Sequence, residues 1–448
     1  MTAKFKILFL AFVFIFTNET AVFSEEIKVP SIKNRSEISA DLNAERVGTL
    51  LLPAMRKAGI DCWVIMSREF NKDFVLDYIE DTKAMTGGHR NAYIFFDDGS
   101  DKLQRIAVGT HLFLARESRI WDRTVSYHGG EGDKGPSLKP ALREIIEELN
   151  PQKIGINTSR TIPMCDGLTV AMKKFLVESI GPEYEKRLVS AEGLIVDFLD
   201  TRLSSEMEHF KKAAEITRII HEEVFSHKAI IPGKTKIGEA RWYVYDRLAE
   251  LNLETWFHPI VRVMRKGDVE QSDDLVIKPG DIVHTDIGII YAGLYTDYQK
   301  NAYVLRPGES EPPEGIQKAF QNSLKVQDAI LEVSREGKIG YKLKQEAEDL
   351  CRKWGIEGRV YSHSTGIPGH GIGAMINPHW PDRYGVRTTY PLRLGAYYAV
   401  ESSAATEIPE WNGQKITIGT EENAFMTEEG FEFFYPRQEK LYLIDPVE

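Results

Sequence analysis

Between Leu42 and Gly59 apolar residues recur at helical spacing and stop at a glycine, which predicts an amphipathic helix. Short β-rich apolar runs follow at Cys62–Met66, Ala92–Phe96, Ile106–Val108 and Ile154–Ile156. Helical stretches such as Lys139–Leu149 and Leu168–Val177 fall between or after them. Strands alternating with helices predict an α/β domain with a mixed sheet. The pattern changes near Asp200–Ser205. There Ser205-Glu206-Met207-Glu208 reads as a capping box opening a long helix with Ala213, Ile216, Ile220 and Val224 on one apolar face. A second helix is expected over Ile237–Leu251, then a strand-rich stretch from Trp256 to Leu305. Two more helices (Glu314–Glu336, Tyr341–Trp354) lead into strand and loop again. Helix, helix, strands thus occurs twice, which points to an internal duplication. The expected division is an α/β domain over 25–200 and an α+β domain over 201–448.

The first residues are of another kind. Lys4 and Lys6 precede an unbroken apolar run from Ile7 to Phe16, and a polar stretch leads to Ala-Val-Phe-Ser-Glu-Glu. This reads as a secretory signal peptide over 1–24, cleaved after Ser24. The run is too short to span a bilayer, and no cysteine follows it for a lipid anchor. The expectation is an exported protein without a stable membrane anchor, periplasmic in a Gram-negative host.

Bulk numbers narrow the partners. Among 448 residues, 42% are hydrophobic and 27% charged, as in an ordinary globular protein. A net charge of −11 with no basic run argues against nucleic acid. Cys62, Cys165 and Cys351 lie far apart and show no metal or redox spacing.

The chemistry concentrates in the last 170 or so residues. Asp286 and Asp297 flank a tight turn in His-Thr-Asp-Ile-Gly-Ile-Ile-Tyr-Ala-Gly-Leu-Tyr-Thr-Asp. If the turn sits at Tyr291-Ala292 the two aspartates are directly opposite; at Ala292-Gly293 they are diagonal neighbours. Both registers put the carboxylates on one face, where they repel unless a cation lies between them. His370 stands in Pro-Gly-His-Gly-Ile-Gly. Glu401 ends the apolar segment Ala396-Tyr-Tyr-Ala-Val-Glu, and Glu421 lies in Ile-Gly-Thr-Glu-Glu-Asn. Each taken singly has an ordinary structural reading; order and spacing together carry the case.

That order resembles the pita-bread metallopeptidases, which include methionine aminopeptidases, Xaa-Pro aminopeptidases, prolidases and creatinases. The family pattern is Asp, ten residues, Asp, then His in a Gly-His-Gly context, Glu after a hydrophobic strand, and Glu nine residues before a turn glycine. Here these are Asp286, Asp297, His370, Glu401 and Glu421, with Gly430 as the glycine. Pro279-Gly280-Asp281-Ile282-Val283 and Phe257-His258-Pro259-Ile260-Val261 match as well. The resemblance implies a pita-bread domain with pseudo-twofold helix-helix-strand repeats behind a creatinase-like N-terminal domain. It implies two divalent ions, with manganese the first choice and cobalt, zinc or iron the others. Asp297 and Glu421 would bridge them, Asp286 would bind one, and His370 with Glu401 the other. A bridging water would be the nucleophile and Glu401 the proton shuttle. The implied activity is that of an Xaa-Pro aminopeptidase or prolidase on short peptides, in a homodimer.

The chain departs from the family at its histidines. The peptidases carry one about a dozen residues after the Pro-Ile-Val segment, where Gln271 lies here. They carry another seven after the metal histidine, where Asn377 lies, and often one four before it, where Gly366 lies. His379 and His363 are the first candidates to compensate in catalysis, followed by His284 and His258. Arg383, Arg387 and Arg393 are candidates to pair with a substrate carboxylate. Two other readings stay open: a metal-dependent lyase or hydrolase of another small molecule, such as dimethylsulfoniopropionate, and a non-catalytic binding protein.

Overall fold

The structure, a computed structural model, describes residues 27–81, 90–109, 118–126, 138–380 and 385–447. The segment read as a signal peptide and Arg383 lie outside them.

Six strands make the first sheet: β1 (Cys62–Ser67), β2 (Asn91–Phe96), β3 (Gln104–Gly109), β4 (Arg123–Ser126), β5 (Ile154–Ile156) and β6 (Leu188–Ser190), in the order β4-β3-β2-β1-β5-β6. β2 runs antiparallel to β1 and β3, and the other pairs are parallel, so the sheet is mixed. β1 is buried along its length because both faces are covered. Trp63 and Ile65 pack with the helices Leu51–Ala58 and Glu192–Asp200. Cys62, Val64 and Met66 pack with the helices Leu138–Leu149 and Val170–Ile180. The sequence pattern missed β4 and β6, which are short edge strands without a buried face. It also joined two helices: Ile32–Thr49 ends at Leu50, and a new helix starts there with Pro53 in its first turn, where no N–H is needed.

The second sheet has ten strands. Its main path is β14 (Met375–Ile376), β13 (Ser362–Ser364), β15 (Tyr397–Ile408), β16 (Gln414–Thr427), β11 (Tyr298–Val304), β8 (Ile282–Ile287) and β7 (Ile260–Met264). β12 (Glu357–Val360) adds to β15, β17 (Gly430–Phe433) to β16, and β18 (Tyr442–Ile444) to β11. A small hairpin, β9 (Ile290–Tyr291) and β10 (Leu294–Tyr295), links β8 to β11. The helices Glu206–Val224 and Ile237–Glu250 cover one face of β7, β8 and β11 through Ala213, Ile216, Ile220, Val244, Val261 and Val283. The helices Glu314–Val333 and Gly340–Lys353 cover the same face of the other half through Val326, Ile330, Leu343, Ala347, Val400 and Ala424. The two helix-helix-strand units meet where β11 pairs with β16.

The capping box expected at Ser205 does not form. Ser205 makes no cap bond; its hydroxyl donates to Glu45 Oε2 at 2.6 Å. Glu206 is buried against Arg46 and Arg202. The helix start is tied to its tertiary neighbours instead of to itself. The two sheets also share packing: Ile367 and Ile372, from the loop after β13, lie in the core around Trp63 and Phe198.

Candidate metal centre

Register builds the site. The hairpin turns at Ala292 (φ 50°) and Gly293 (φ 80°), the positive-φ pair of a type I′ turn. Of the two registers left open by the sequence, this is the diagonal one: Asp286 pairs with Gln299, two residues beyond Asp297. Gln299 pairs on its other side with Glu421, and Glu421 with Glu401. Asp286, Gln299, Glu421 and Glu401 therefore form one row across four strands, and side chains in one row share a face. A second row lies beside it on the same face. His363 pairs with Ala399, and Ala399 with Asn423. The Asn423 side chain receives the Asp297 N–H at 3.0 Å and donates to the Asp297 carbonyl at 2.6 Å. Past Gln299 the ladder between β11 and β16 stops, and this amide takes the place of a strand partner.

The open face thus holds four carboxylates and an imidazole in two adjacent rows. His363 Nε2 lies 3.7 Å from Asp297 Oδ2 and 3.8 Å from Glu421 Oε1. Among the described residues these three are the group whose ligand atoms lie close enough together to hold a metal ion. Asp286 and Asp297 are within hydrogen-bond reach of each other. Gln299 Nε2 donates to Glu401 Oε1 at 2.9 Å.

The electrostatics are those of a site short of positive charge. Burial pushes the Asp286 carboxyl up to about 7. Burial, with Asp286 adding to it, pushes Glu401 up to about 8. Burial drives Asp297 and Glu421 well above the usual carboxylate range, and the neighbouring carboxylates push each further. Burial first and His370 second hold His363 well below its ordinary value, so its ring is neutral and has a lone pair to offer. Asp286 Oδ1 and Glu421 Oε1 are buried with no hydrogen-bond partner among the described residues. Buried oxygens do not stay unpartnered without reason. This set of oxygens and one nitrogen suits hard and borderline divalent cations.

The structure places the histidines differently from what the expected roles would suggest. His370, expected as a ligand, lies outside the carboxylate group, in the loop beyond β13. Its ring stands edge-on to His363, centroids 4.6 Å apart, and its Nε2 is 3.3 Å from the Tyr361 hydroxyl. His363, expected to face substrate, is the buried one, held by the pairing of β13 with β15. His379, the other catalytic candidate, is exposed: its Nδ1 meets the Thr388 hydroxyl at 2.8 Å and its ring packs on Tyr341. His284 shares the Asp286 face by alternation, and its Nδ1 is 3.1 Å from Asn301 Oδ1. His258 is bonded to the Tyr245 hydroxyl. Gln271 is pinned by both side-chain atoms to the Val263 backbone. Arg393 pairs with Asp197 and Asp200, so it is spent on structure. Gln299 and Asn423 were missed. Period-two counting from Asp297 and Glu421 puts both on the same face and was the available signal.

Residues 208–428 match the family model of metallopeptidase family M24. The C-terminal half of the chain belongs to that family. A putative Xaa-Pro aminopeptidase of Mycoplasma pneumoniae is 25% identical over 217 residues, 48% of this chain and 58% of the relative. A methionine aminopeptidase of Thermococcus onnurineus is 28% identical over 206 residues, 45% of this chain and 65% of the relative. The matches thus span less than two thirds of these relatives' lengths. Solved structures extend the likeness in fold to the N-terminal domain. An X-Pro aminopeptidase from Thermotoga maritima superposes with a TM-score of 0.65 at 17% identity, covering 87% of this chain and 99% of its own. The prolidase from Pyrococcus furiosus gives 0.58 at 18% identity, covering 87% and 100%. The M24 assignment agrees with the pita-bread arrangement of the second sheet and its paired helices.

Proposed function

We propose that this M24 chain is a dinuclear metal-dependent peptidase of the Xaa-Pro aminopeptidase or prolidase type, acting on short peptides. One observation carries the reading: four carboxylates (Asp297 and Glu421 buried, Asp286 and Glu401 half-buried) and a neutral imidazole converge on one face of a sheet, and among the described residues none of the four is ion-paired to a lysine or arginine. Four negative charges match two divalent ions, which would allow the site to be buried near neutrality. Asp286, Asp297, His363, Glu401 and Glu421 would hold the ions. Taking His363 as the ligand also removes an anomaly, because the residue seven further on is His370, at the spacing the family uses for its substrate-facing histidine.

Two such ions would supply Lewis acidity and an activated water. Around them the chain's own groups divide the work. Gln299 holds Glu401 Oε1 and leaves Oε2 to carry a proton towards the leaving amine. His370 and the Tyr361 hydroxyl, on the open side, orient the scissile carbonyl. Asp286, Asp297 and Glu421 fix the geometry. Manganese is the proposed metal, with cobalt, zinc or iron as alternatives. Export behind a leader ending at Ser24, a periplasmic location and a homodimer complete the proposal. They rest on the sequence and the resemblance; N-terminal sequencing of mature protein and light scattering test them.

The deciding experiment incubates purified protein with each metal and screens Xaa-Pro dipeptides, Xaa-Pro-Yaa tripeptides and peptides without proline. Cleavage of the proline substrates with about two metal ions per chain by elemental analysis is expected. No cleavage of any peptide by metal-loaded protein would overturn the peptidase reading.

A further inference from the structure

The loop between Ser364 and Gly373 carries His370, and one side chain organises it. Arg387 opens a short 3-10 turn, Arg387–Thr389. Its Nε donates to the Gly373 carbonyl at 2.9 Å, and its Nη2 donates to Ser364 Oγ at 3.2 Å and to the His370 carbonyl. Ser364 Oγ also receives the Gly373 N–H at 2.8 Å, so both ends of the loop and its functional residue close on one guanidinium. No carboxylate lies within ion-pair distance of Arg387 among the described residues. Burial lowers its pKa to about 10, and Asp200 is the nearest compensating charge. Taking a guanidinium from water costs stability unless its donors are paired, and here the three acceptors that pair them all belong to this loop.

The surroundings hold the loop in the same place. Ile367 and Ile372 on either side of His370 are buried in the core of the first sheet. Gly373 lies so close to Asp200 that an added Cβ would sit 2.0 Å from its carboxylate. The loop is thus gripped from the N-terminal domain by packing and from the C-terminal domain by Arg387.

We propose that Arg387 is a positioning residue for catalysis: it fixes the His370 backbone and so holds the His370 ring over His363 and beside Tyr361. It does not touch substrate or metal. The inference rests on the reading of His370 as substrate-facing. Groups that orient functional residues typically contribute 10- to 100-fold, and a planar fork with three acceptors is not replaced by a lysine point charge.

A double-mutant cycle on the metal-loaded enzyme tests it. Arg387→Gln should lower kcat/KM by about 10- to 100-fold with metal content per chain and circular dichroism unchanged. Arg387→Lys should recover only part of the loss; it also stands in if the Gln variant fails to fold. His370→Ala alone should lower kcat/KM, and adding Arg387→Gln to it should cost little more, because both act through one ring. Additive losses, or loss of metal in R387Q at full fold, would overturn the positioning role while leaving His370 as read. Full activity in H370A would overturn the reading of His370, and with it this one.

Discussion

Glu421 and Glu422 are adjacent on β16, both buried, and point to opposite faces of the same sheet. Burial raises both carboxyls. For Glu422 every charged neighbour pulls back: Lys300 is ion-paired to it, Arg437 lies beyond, and the Gln438 N–H donates at 3.0 Å. For Glu421 every charged neighbour pushes further: Asp297, Glu401 and Asp286. One face neutralises its carboxylate from within the chain. The other collects four carboxylates, and among the described residues none of them is ion-paired to a lysine or arginine. The contrast separates a structural ion pair from a candidate binding site at equal burial, which neither residue type nor exposure would do.

The most damaging change to this contrast should be Glu421→Gln. Peptidase activity is expected to fall by at least ~10⁴-fold as a ligand of the proposed metal site goes, while the metal-free protein keeps its stability or gains some. Activity persisting in this variant, or in Asp297→Ala, would remove the dinuclear mechanism. Glu422→Gln should do the reverse. It strands Lys300 in the sheet and should lose about 3–5 kcal/mol of stability in chemical denaturation. Metal content per folded chain should stay unchanged.

The pH dependence sharpens the comparison. A carboxyl with a raised pKa in the folded state binds its proton more tightly than the unfolded chain does. Its stability is therefore full below the unfolded value and is lost as pH rises through the folded one. With Asp286 at about 7 and Glu401 at about 8, chelator-treated protein should lose stability steadily between roughly pH 5 and 8. Each group contributes a slope near 1.4 kcal/mol per pH unit at most. Thermal melts in chelator that showed greater stability at pH 8 than at pH 5 would count against the shared carboxylate site. Smallest in expected size is the effect of metal itself. At a hundred times its Kd it should stabilise by about 2.7 kcal/mol, a gain that His363→Ala should abolish and His370→Ala should keep. Equal loss in both variants would return the ligand role to His370.

Much of the fold was legible. The runs at Cys62, Ala92, Ile106 and Ile154 became strands because period and β-branching report burial directly. The doubled helix-helix-strand order came through because each helix has an apolar face. The edge strands at Arg123 and Leu188 did not, having no buried face to repeat. The Ser205 cap did not form because Glu45 competes for its hydroxyl. The Asp286–Asp297 pair was legible because spacing across a tight turn sets the face, whereas Glu401 and Glu421 rested on the resemblance. The position of His363 beside them gave no such signal, because Ser362–Ser364 is a three-residue strand, too short to show a period.

By itself the sequence determined that Asp286 and Asp297 would share a face: alternation on either side of a tight turn is a local property of extended backbone. It left open the register of the Asp286–Asp297 hairpin and which of two histidines seven residues apart would meet the carboxylates. The tertiary structure decided both. The positive-φ turn at Ala292-Gly293 set the diagonal register, and the pairing of His363 with Ala399 carried that ring in beside Asp297 and Glu421. Such outcomes depend on where one strand lies against another, and that position is set by packing between segments far apart in the chain.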